Sequence, residues 1–411
     1  MRSARAQYRK AGIAERAWSR IIRTAYENKR KTAPQMTRSN AFNPDSILDG
    51  LLEWVAIESP SYSREAVNRM VDKVEGELRA LGGAIERVDQ GEGYGDVLLA
   101  RFPGQQEGSG ILILGHVDTV HPEGTLDGPL PIRREGDRVY GPGIFDMKGG
   151  LYLAVHALRQ VLRDGGRPKL PVTVMVIPDE EVGTPSSRPL IEAEAQRHRH
   201  VLVPEPSREG KLVTGRHAFL RFVLRCHGRP AHAGADNRAG RSAISQMARV
   251  IQQVESWSDF ERGVTYSVGV IQGGTFANVM PIECSAQLLC VAPTEADMEE
   301  VRARVLGLAE QSEARHIEVE AGPVRPLFKP HEGTLQLYEI AREIAAEQGL
   351  TLEHGQFGGG SYGNFTGALE IPTLDGLGVC GGGPHTHEEH LLVSSLEPCC
   401  RVLAGLLDRL E

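Results

Sequence analysis

Three short apolar runs in this chain each end in a side chain that seeks metal: ILILG leads to His116, VTVMVIPD to Glu180 and Glu181, and VLVP to Glu205. Another such side chain, His385, closes a Gly-rich stretch, and Asp146 sits in GPGIFDMKGG. In open α/β sheets, ligands bind in the crevice beyond the carboxyl ends of the strands. Residues far apart in sequence therefore converge there if these runs are neighbouring strands. Imidazole and carboxylate without thiolate suit Zn²⁺ or a similar divalent ion.

The surrounding pattern agrees with such a sheet. From about Asn43, amphipathic helices (REAVNRMVDKVEGELRALG, GLYLAVHALRQVLRDGG) alternate with apolar strands (DVLLARF, GILILG), an α/β layer architecture. Between roughly Lys211 and Val324 the order becomes strand, helix, two strands, helix, strand, which fits a ferredoxin-like β-α-β-β-α-β unit. Helix and Gly-rich stretches then resume. The expected organisation is an α/β domain made of residues 41–210 and 326–411, with residues 211–325 as an inserted α+β domain joined by short junctions. A chain of 411 residues is long enough for two domains.

Charge is unevenly spread. Residues 1–38 carry eleven Lys or Arg against Glu15 and Glu27, a net +9, whereas the remainder carries −17 of a total −8. This leader has the Arg-rich look of a transit peptide or a polyanion-binding arm but lacks an apolar signal core. With nothing downstream adapted to polyanions, residues 1–40 are read as an extension ahead of a start at Met36 or a loosely attached solvated helix, without a nucleic-acid role. The six Cys form no Cys-x-x-Cys pair and read as reduced and mostly buried, and no apolar stretch approaches a membrane span. A cytoplasmic enzyme is the expectation.

Within His116-Val117-Asp118 the first and third side chains point the same way, so Asp118 can support a metal-binding His116 through its second ring nitrogen. Glycines around Asp146 permit a tight backbone before a helix begins near Lys148, where a carboxylate could bridge two ions. Adjacent acids just past an apolar strand are poorly explained by packing. If Glu181 binds metal, Glu180 can take a proton from activated water. Singly, each residue has a bland alternative: a loop acid for Glu205, a helix cap for Asp146, one histidine among several for His385. Their coincidence at strand ends argues for a site.

The ordered motifs GHVDTV, GPGIFDMKGG, PDEEVG, VPEPS, GRPAHAG and GGGPHTHEE resemble the M20 metallopeptidase family, particularly its glutamate carboxypeptidases, from about Asn43 to the C-terminus. The resemblance implies a zinc-exopeptidase-like catalytic domain with an inserted dimerisation or lid domain. It implies that Asp146 bridges two zinc ions, that His116 and Glu205 complete one site and Glu181 and His385 the other, and that Glu180 is the general base with Asp118 in support. Cobalt or manganese are alternatives to zinc. It also implies a cis peptide bond after Asp146.

For substrate binding, the resemblance implies roles for His232, Asn278, Arg325, Gly360 and the residue at 362, with His232 and Asn278 reaching the site of the partner subunit in a homodimer. Two departures stand out. Many relatives carry Asp-x-Arg where this chain has Leu288, Leu289 and Cys290, and many carry Asp where Tyr362 stands. Tyr362 is therefore expected to reshape the pocket toward an apolar or aromatic acyl group. Lys211, Arg216 and His217 either add positive charge around a carboxylate or sit on the surface. His121, His354, His387 and His390 are assigned structural roles.

The implied activity is dinuclear zinc-dependent hydrolysis of the amide of an N-acyl amino acid or a C-terminal, acidic amino acid. A dipeptidase or aminopeptidase of the same family is the alternative enzyme. A non-catalytic, metal-stabilised binding protein is the alternative of another class, against which Glu180 speaks because a structural site needs no base.

Overall fold

The computed structural model describes residues 42–91, 93–310 and 316–411; the basic leader lies outside the described residues. The chain opens with α1 (Pro44–Val55), which has proline at its first position and buries Ile47, Leu48, Leu51, Trp54 and Val55, one stripe of a 3.6-residue period. Helix α2 (Arg64–Ala80) does the same with Val67, Met70, Val71, Val74 and Leu78. Strands β1 (Ala84–Val88), β2 (Val97–Phe102) and β3 (Ile111–His116) follow, then a short hairpin, β4 (Arg133–Glu135) and β5 (Arg138–Tyr140).

Helix α3 (Lys148–Val161) leads to β6 (Val172–Ile177), α4 (Arg188–Ala195), β7 (His200–Val203) and β8 (Leu212–Arg216). Strands β3 and β6 are buried at every position, as expected of strands covered on both faces. They run parallel in register, with His116 beside Ile177, and β7 runs parallel on the other side of β3. Their carboxyl ends therefore lie side by side, which brings His116, Glu180, Glu181 and Glu205 to one rim.

The insert follows. Its strands are β9 (Ala218–His227), β10 (Thr265–Gly273), β11 (Glu283–Ala292) and β12 (Ile317–Ala321), with helices α5 (Ala243–Glu255) and α6 (Glu295–Glu310) between them. The sheet order β10-β11-β9-β12 is antiparallel throughout, as expected of the ferredoxin-like arrangement. Along β9, buried and half-buried residues alternate. Its buried set (Leu220, Phe222, Leu224, Cys226) joins Met247, Val250 and Val254 of α5 and Val301, Val305 and Leu308 of α6 in a core of the insert's own.

The chain returns through α7 (Glu332–Glu347), β13 (His354–Phe357), α8 (Gly363–Ala368), β14 (Thr373–Asp375), β15 (Gly381–Gly382), β16 (His390–Leu392) and α9 (Leu396–Arg409). The large mixed sheet has the order β1-β2-β6-β3-β7-β14-β8-β13. Two features differ from the sequence expectation. Strand β8, which the boundary near Lys211 had counted with the insert, belongs to this large sheet, and the insert's first strand, expected over LRFVLRCHG, spans Ala218–His227. The segments β15, β16, β5 and β4 form a third, small sheet that ties the His385 loop to the segment before Asp146.

Candidate metal centre

Asp146 stands between two imidazoles. Its Oδ1 is 3.4 Å from Nε2 of His116 and its Oδ2 is 3.4 Å from Nε2 of His385. On the His116 side, Glu205 Oε1 lies 3.8 Å from the same Nε2, and on the His385 side, Glu181 Oε2 lies 2.9 Å from its imidazole. The five residues thus fall into two sets sharing one carboxylate. Ligand atoms of His116, Asp146 and Glu181 all lie within 4.8 Å of one another. His116 Nε2 is buried without a hydrogen-bond partner. A ring nitrogen left unpaired amid carboxylates fits a divalent cation with nitrogen and oxygen ligands. The peptide bond from Asp146 to Met147 is cis, as the resemblance implied.

The electrostatics reflect a cluster of acids and imidazoles closed on itself. Burial opposes ionisation of Asp146, but the His116 and His385 imidazoles hold it well below the usual carboxylate range. Asp146 and Glu181 push His385 up to about 10. Burial, offset in part by His385, raises Glu181 to about 7. Burial raises Glu205 well above its ordinary value, and the charge of Asp146 adds to this.

Asp118 is fully buried and binds more than its neighbour histidine. His116 Nδ1 donates to the Asp118 carbonyl oxygen at 3.0 Å, with the carboxylate at 3.4 Å. The Asp118 carboxylate instead accepts from Ser61 Oγ at 2.7 Å and from the backbone N–H groups of Glu180 and Glu181 at 3.2 Å each. It therefore fixes the loop that presents both acids. Glu180 is nearly buried and its Oε1 accepts from Arg325 Nη1 at 2.8 Å. Arg325 lies against Gly360, where a Cβ would overlap its guanidinium, so a larger residue there would require Arg325 to move.

The structure does not bring every expected residue to the cluster. His232 and Asn278 share one corner of the insert: His232 bridges to Val279, and Ala233 N–H donates to Asn278 O at 3.0 Å. Both are largely exposed and make no described bond to the metal-seeking cluster. Tyr362 corrects an expectation. It is fully buried among core residues such as Leu114, Met147 and Val203, its ring edge-on to His116 at 6.4 Å between centroids. The ring therefore lies behind the cluster and has no face free to stack on an acyl group. Its hydroxyl is without a hydrogen-bond partner, and burial together with the charges of Glu180 and Asp118 holds it well above the ordinary phenol value.

Among the basic residues near the insert, Arg216 is fully buried in a two-point pair with Asp375 (2.6 and 2.9 Å) that ties β8 to β14, and Lys211 pairs with Glu353 on the surface. His121, assigned a bland role, hydrogen-bonds Glu389 at 2.7 Å. Glu389 is the residue that sequence reasoning missed. Almost wholly buried, it accepts from the N–H groups of Gly143, Phe145 and Asp146 at 3.0–3.1 Å and so shapes the backbone that carries Asp146. The only signal for it was an acid following the PHTH run.

Residues 112–409 match the model of Peptidase family M20/M25/M40. Carboxypeptidase G2 of Pseudomonas sp. (strain RS-16) is 27% identical over 358 residues, covering 85% of this chain and 86% of that protein. Acetylornithine deacetylase of Myxococcus xanthus is 30% identical over 250 residues, 57% of this chain and 63% of that protein. Among solved structures, a tripeptidase from Staphylococcus aureus subsp. aureus Mu50 superimposes with a TM-score of 0.72 at 20% identity, over 89% of this chain and 98% of that one. A family match across most of the chain, on a two-domain α/β fold with a metal-seeking cluster at its strand ends, establishes that this metallo-hydrolase belongs to peptidase family M20/M25/M40.

Proposed function

We propose that this chain is a dinuclear zinc-dependent hydrolase that cleaves the amide bond of an N-acyl amino acid or releases a C-terminal amino acid from a peptide. The observation that carries the reading is the placement of Asp146, whose two oxygens each face a different imidazole at 3.4 Å. One carboxylate shared in this way is what a two-metal site needs. When bound, the two cations supply Lewis acidity to the scissile carbonyl and to the attacking water.

The chain's own residues do the rest. His116 and Glu205 would hold one cation, Glu181 and His385 the other, and Asp146 both. Glu180, adjacent to the cluster yet outside both sets, would take the proton from the attacking water and return it to the departing amine. Asp118, through the two backbone N–H groups it accepts, keeps Glu180 and Glu181 aimed at the same point. Arg325 and the turn at Gly360 would receive the substrate's carboxylate, for which a planar guanidinium fork is suited. A non-catalytic binding protein would have no use for Glu180 at this position.

The division into a catalytic body and an inserted lid is supported by the insert's separate sheet and core. A homodimer through the insert is supported by its edge strand β10, which exposes Val270 and Ile271, and by the exposed placement of His232 and Asn278. A cytoplasmic location is supported by six free thiols. Among the described residues, no helix is long and apolar enough to cross a membrane.

The test is release of free amino acid from a panel of N-acyl and peptide substrates by zinc-loaded wild type and Glu180→Ala. Turnover restricted to free α-carboxylates and lost in the variant supports the reading. Release from free-amine dipeptides alone would move it to a dipeptidase or aminopeptidase. Zinc binding without turnover on any substrate would replace the enzyme reading with that of a binding protein.

A further inference from the structure

Two arginines near the site, Arg221 and Arg208, make no ion pair among the described residues. Arg221 lies on β9 opposite Leu289 of β11. Its neighbours Leu220 and Phe222 are buried in the insert's core, so Arg221 points from the opposite face of the sheet, toward the loop that carries Glu180. A Cβ built on Gly183 would meet a single atom within 4 Å, Nη2 of Arg221 at 3.9 Å. The guanidinium therefore stands across an open gap from residues 180–183. Its charged neighbours are Arg325 and Glu180, and Glu180 is already bonded to Arg325. Half-buried Arg221 itself makes no described ion pair or side-chain hydrogen bond.

Arg208 is the second. It follows Glu205 by three residues, is half-buried, and its Nε is buried without a hydrogen-bond partner. Its Nη2 lies 2.9 Å from where a Cβ on Gly359 would stand, and Arg325 Nη1 lies over the neighbouring Gly360. Arg208 and Arg325 thus lie over adjacent glycines of one turn, and Arg221 adjoins Arg325 from the insert. Of the three guanidiniums, Arg325 alone has a carboxylate partner. Two positive charges remain, and half-burying a cation with no partner is costly unless a ligand supplies one.

We propose that Arg208 and Arg221 are specificity-determining residues that select substrates with two carboxylates on the amino-acid side of the scissile amide, so that an acidic amino acid is released in preference to its neutral isostere. The inference rests on the hydrolase reading above for its activity test and on binding alone for a second test. Each planar fork can take one carboxylate in a two-point contact.

The first measurement is kcat/KM for N-acetylglutamate and N-acetylglutamine, with other N-acyl groups in parallel, using zinc-loaded wild type, Arg208→Gln, Arg221→Gln, Arg221→Lys and the double Gln variant. Wild type is expected to prefer the glutamate derivative, mainly through KM, and each Gln substitution to reduce that preference by about tenfold, the scale of one charged hydrogen-bonded contact. Arg221→Lys, which keeps the charge and loses the fork, is expected to fall between. The second measurement is calorimetric titration of the same proteins with glutarate and with its mono-amide, after thermal melts confirm folding. Glutarate affinity is expected to drop in the Gln variants while that of the mono-amide changes less. An unchanged glutamate-to-glutamine ratio together with unchanged glutarate affinity overturns the inference and leaves the hydrolase reading intact. If wild type hydrolyses nothing, that reading fails and the glutarate titration alone decides the inference.

Discussion

Arg325 Nη1 donates to Glu180 Oε1 at 2.8 Å, with the two side chains only 6% and 10% exposed. The pair joins the exit of the insert to the loop after β6, and so ties the insert to the body of the molecule. Removing one member of a buried pair leaves an uncompensated charge, which costs about 3–5 kcal/mol. We expect Arg325→Leu to lower the unfolding free energy of the metal-free protein by about that amount, and the double variant Arg325→Leu/Glu180→Leu to recover much of it. A denaturant double-mutant cycle checks this. Additive losses would mean the pair is not the interaction that matters.

Glu389 supports the candidate site from outside the five-residue cluster. It accepts three backbone N–H groups of the 143–146 segment and bonds His121. Glu389→Ala would strand those buried donors at about 1–3 kcal/mol each and loosen the backbone of Asp146. We expect a fall in zinc affinity of about 10–100-fold, the usual size of an effect one layer beyond the ligands. Glu389→Gln, which keeps one acceptor oxygen, should lie between. Competition with a chelator of known affinity measures both, and wild-type affinity in Glu389→Ala would show that the 143–146 backbone holds its shape unaided.

The contrast between Glu389 and the ligands explains what was legible. His116, Glu181 and Glu205 follow runs so apolar that only buried strands accommodate them, and parallel strands in register put their ends together without further information. Glu389 lies in a polar run, and its burial depends on contacts with residues some 245 positions earlier, which no local pattern reports. The segment LVTGR, counted with the insert because the boundary was set near Lys211, pairs in the large sheet for a similar reason. LVTGR ends in a charged residue, and its burial at all five positions depends on Asp375, 159 residues away, neutralising Arg216. The three-residue strands of the small sheet are too short for any periodicity to mark them. Tyr362 was expected to shape the acyl pocket, but its ring is buried against His116, because sequence position fixes proximity to a turn and not the face from which a side chain approaches.

Asp118 offers a prediction that separates orientation from ligation. Its carboxylate receives the Glu180 and Glu181 N–H groups and the Ser61 hydroxyl, whereas His116 is oriented chiefly by the Asp118 carbonyl, which substitution leaves in place. Asp118→Asn keeps the shape and an acceptor oxygen but brings an amide toward three donors. We therefore expect zinc affinity to fall by about tenfold and kcat to fall further, because the loop holding the proposed base is disturbed along with the ligand Glu181. Parallel zinc titration and steady-state kinetics on any substrate found active test this. A loss of zinc affinity with full kcat at saturating zinc would confine Asp118 to metal retention.

Proton release should accompany zinc binding, and its direction follows from His385. Asp146 and Glu181 push that imidazole up to about 10, so at pH 7.5 the metal-free protein holds it protonated. The raised value stabilises the metal-free fold fully below about pH 6.5, the ordinary imidazole value, and the contribution fades as pH rises through about 10. A cation at Nε2 requires the neutral ring and must displace the proton. Zinc affinity is therefore expected to rise with pH from 6 toward 10, about tenfold per unit for each proton displaced. Calorimetric titration at pH 7.5 in two buffers of different ionisation enthalpy should show release of at least one proton as zinc fills the site. His385→Gln should reduce the number released, and identical heats in both buffers for the wild type would show that no net proton leaves, His385's included, as the metal binds.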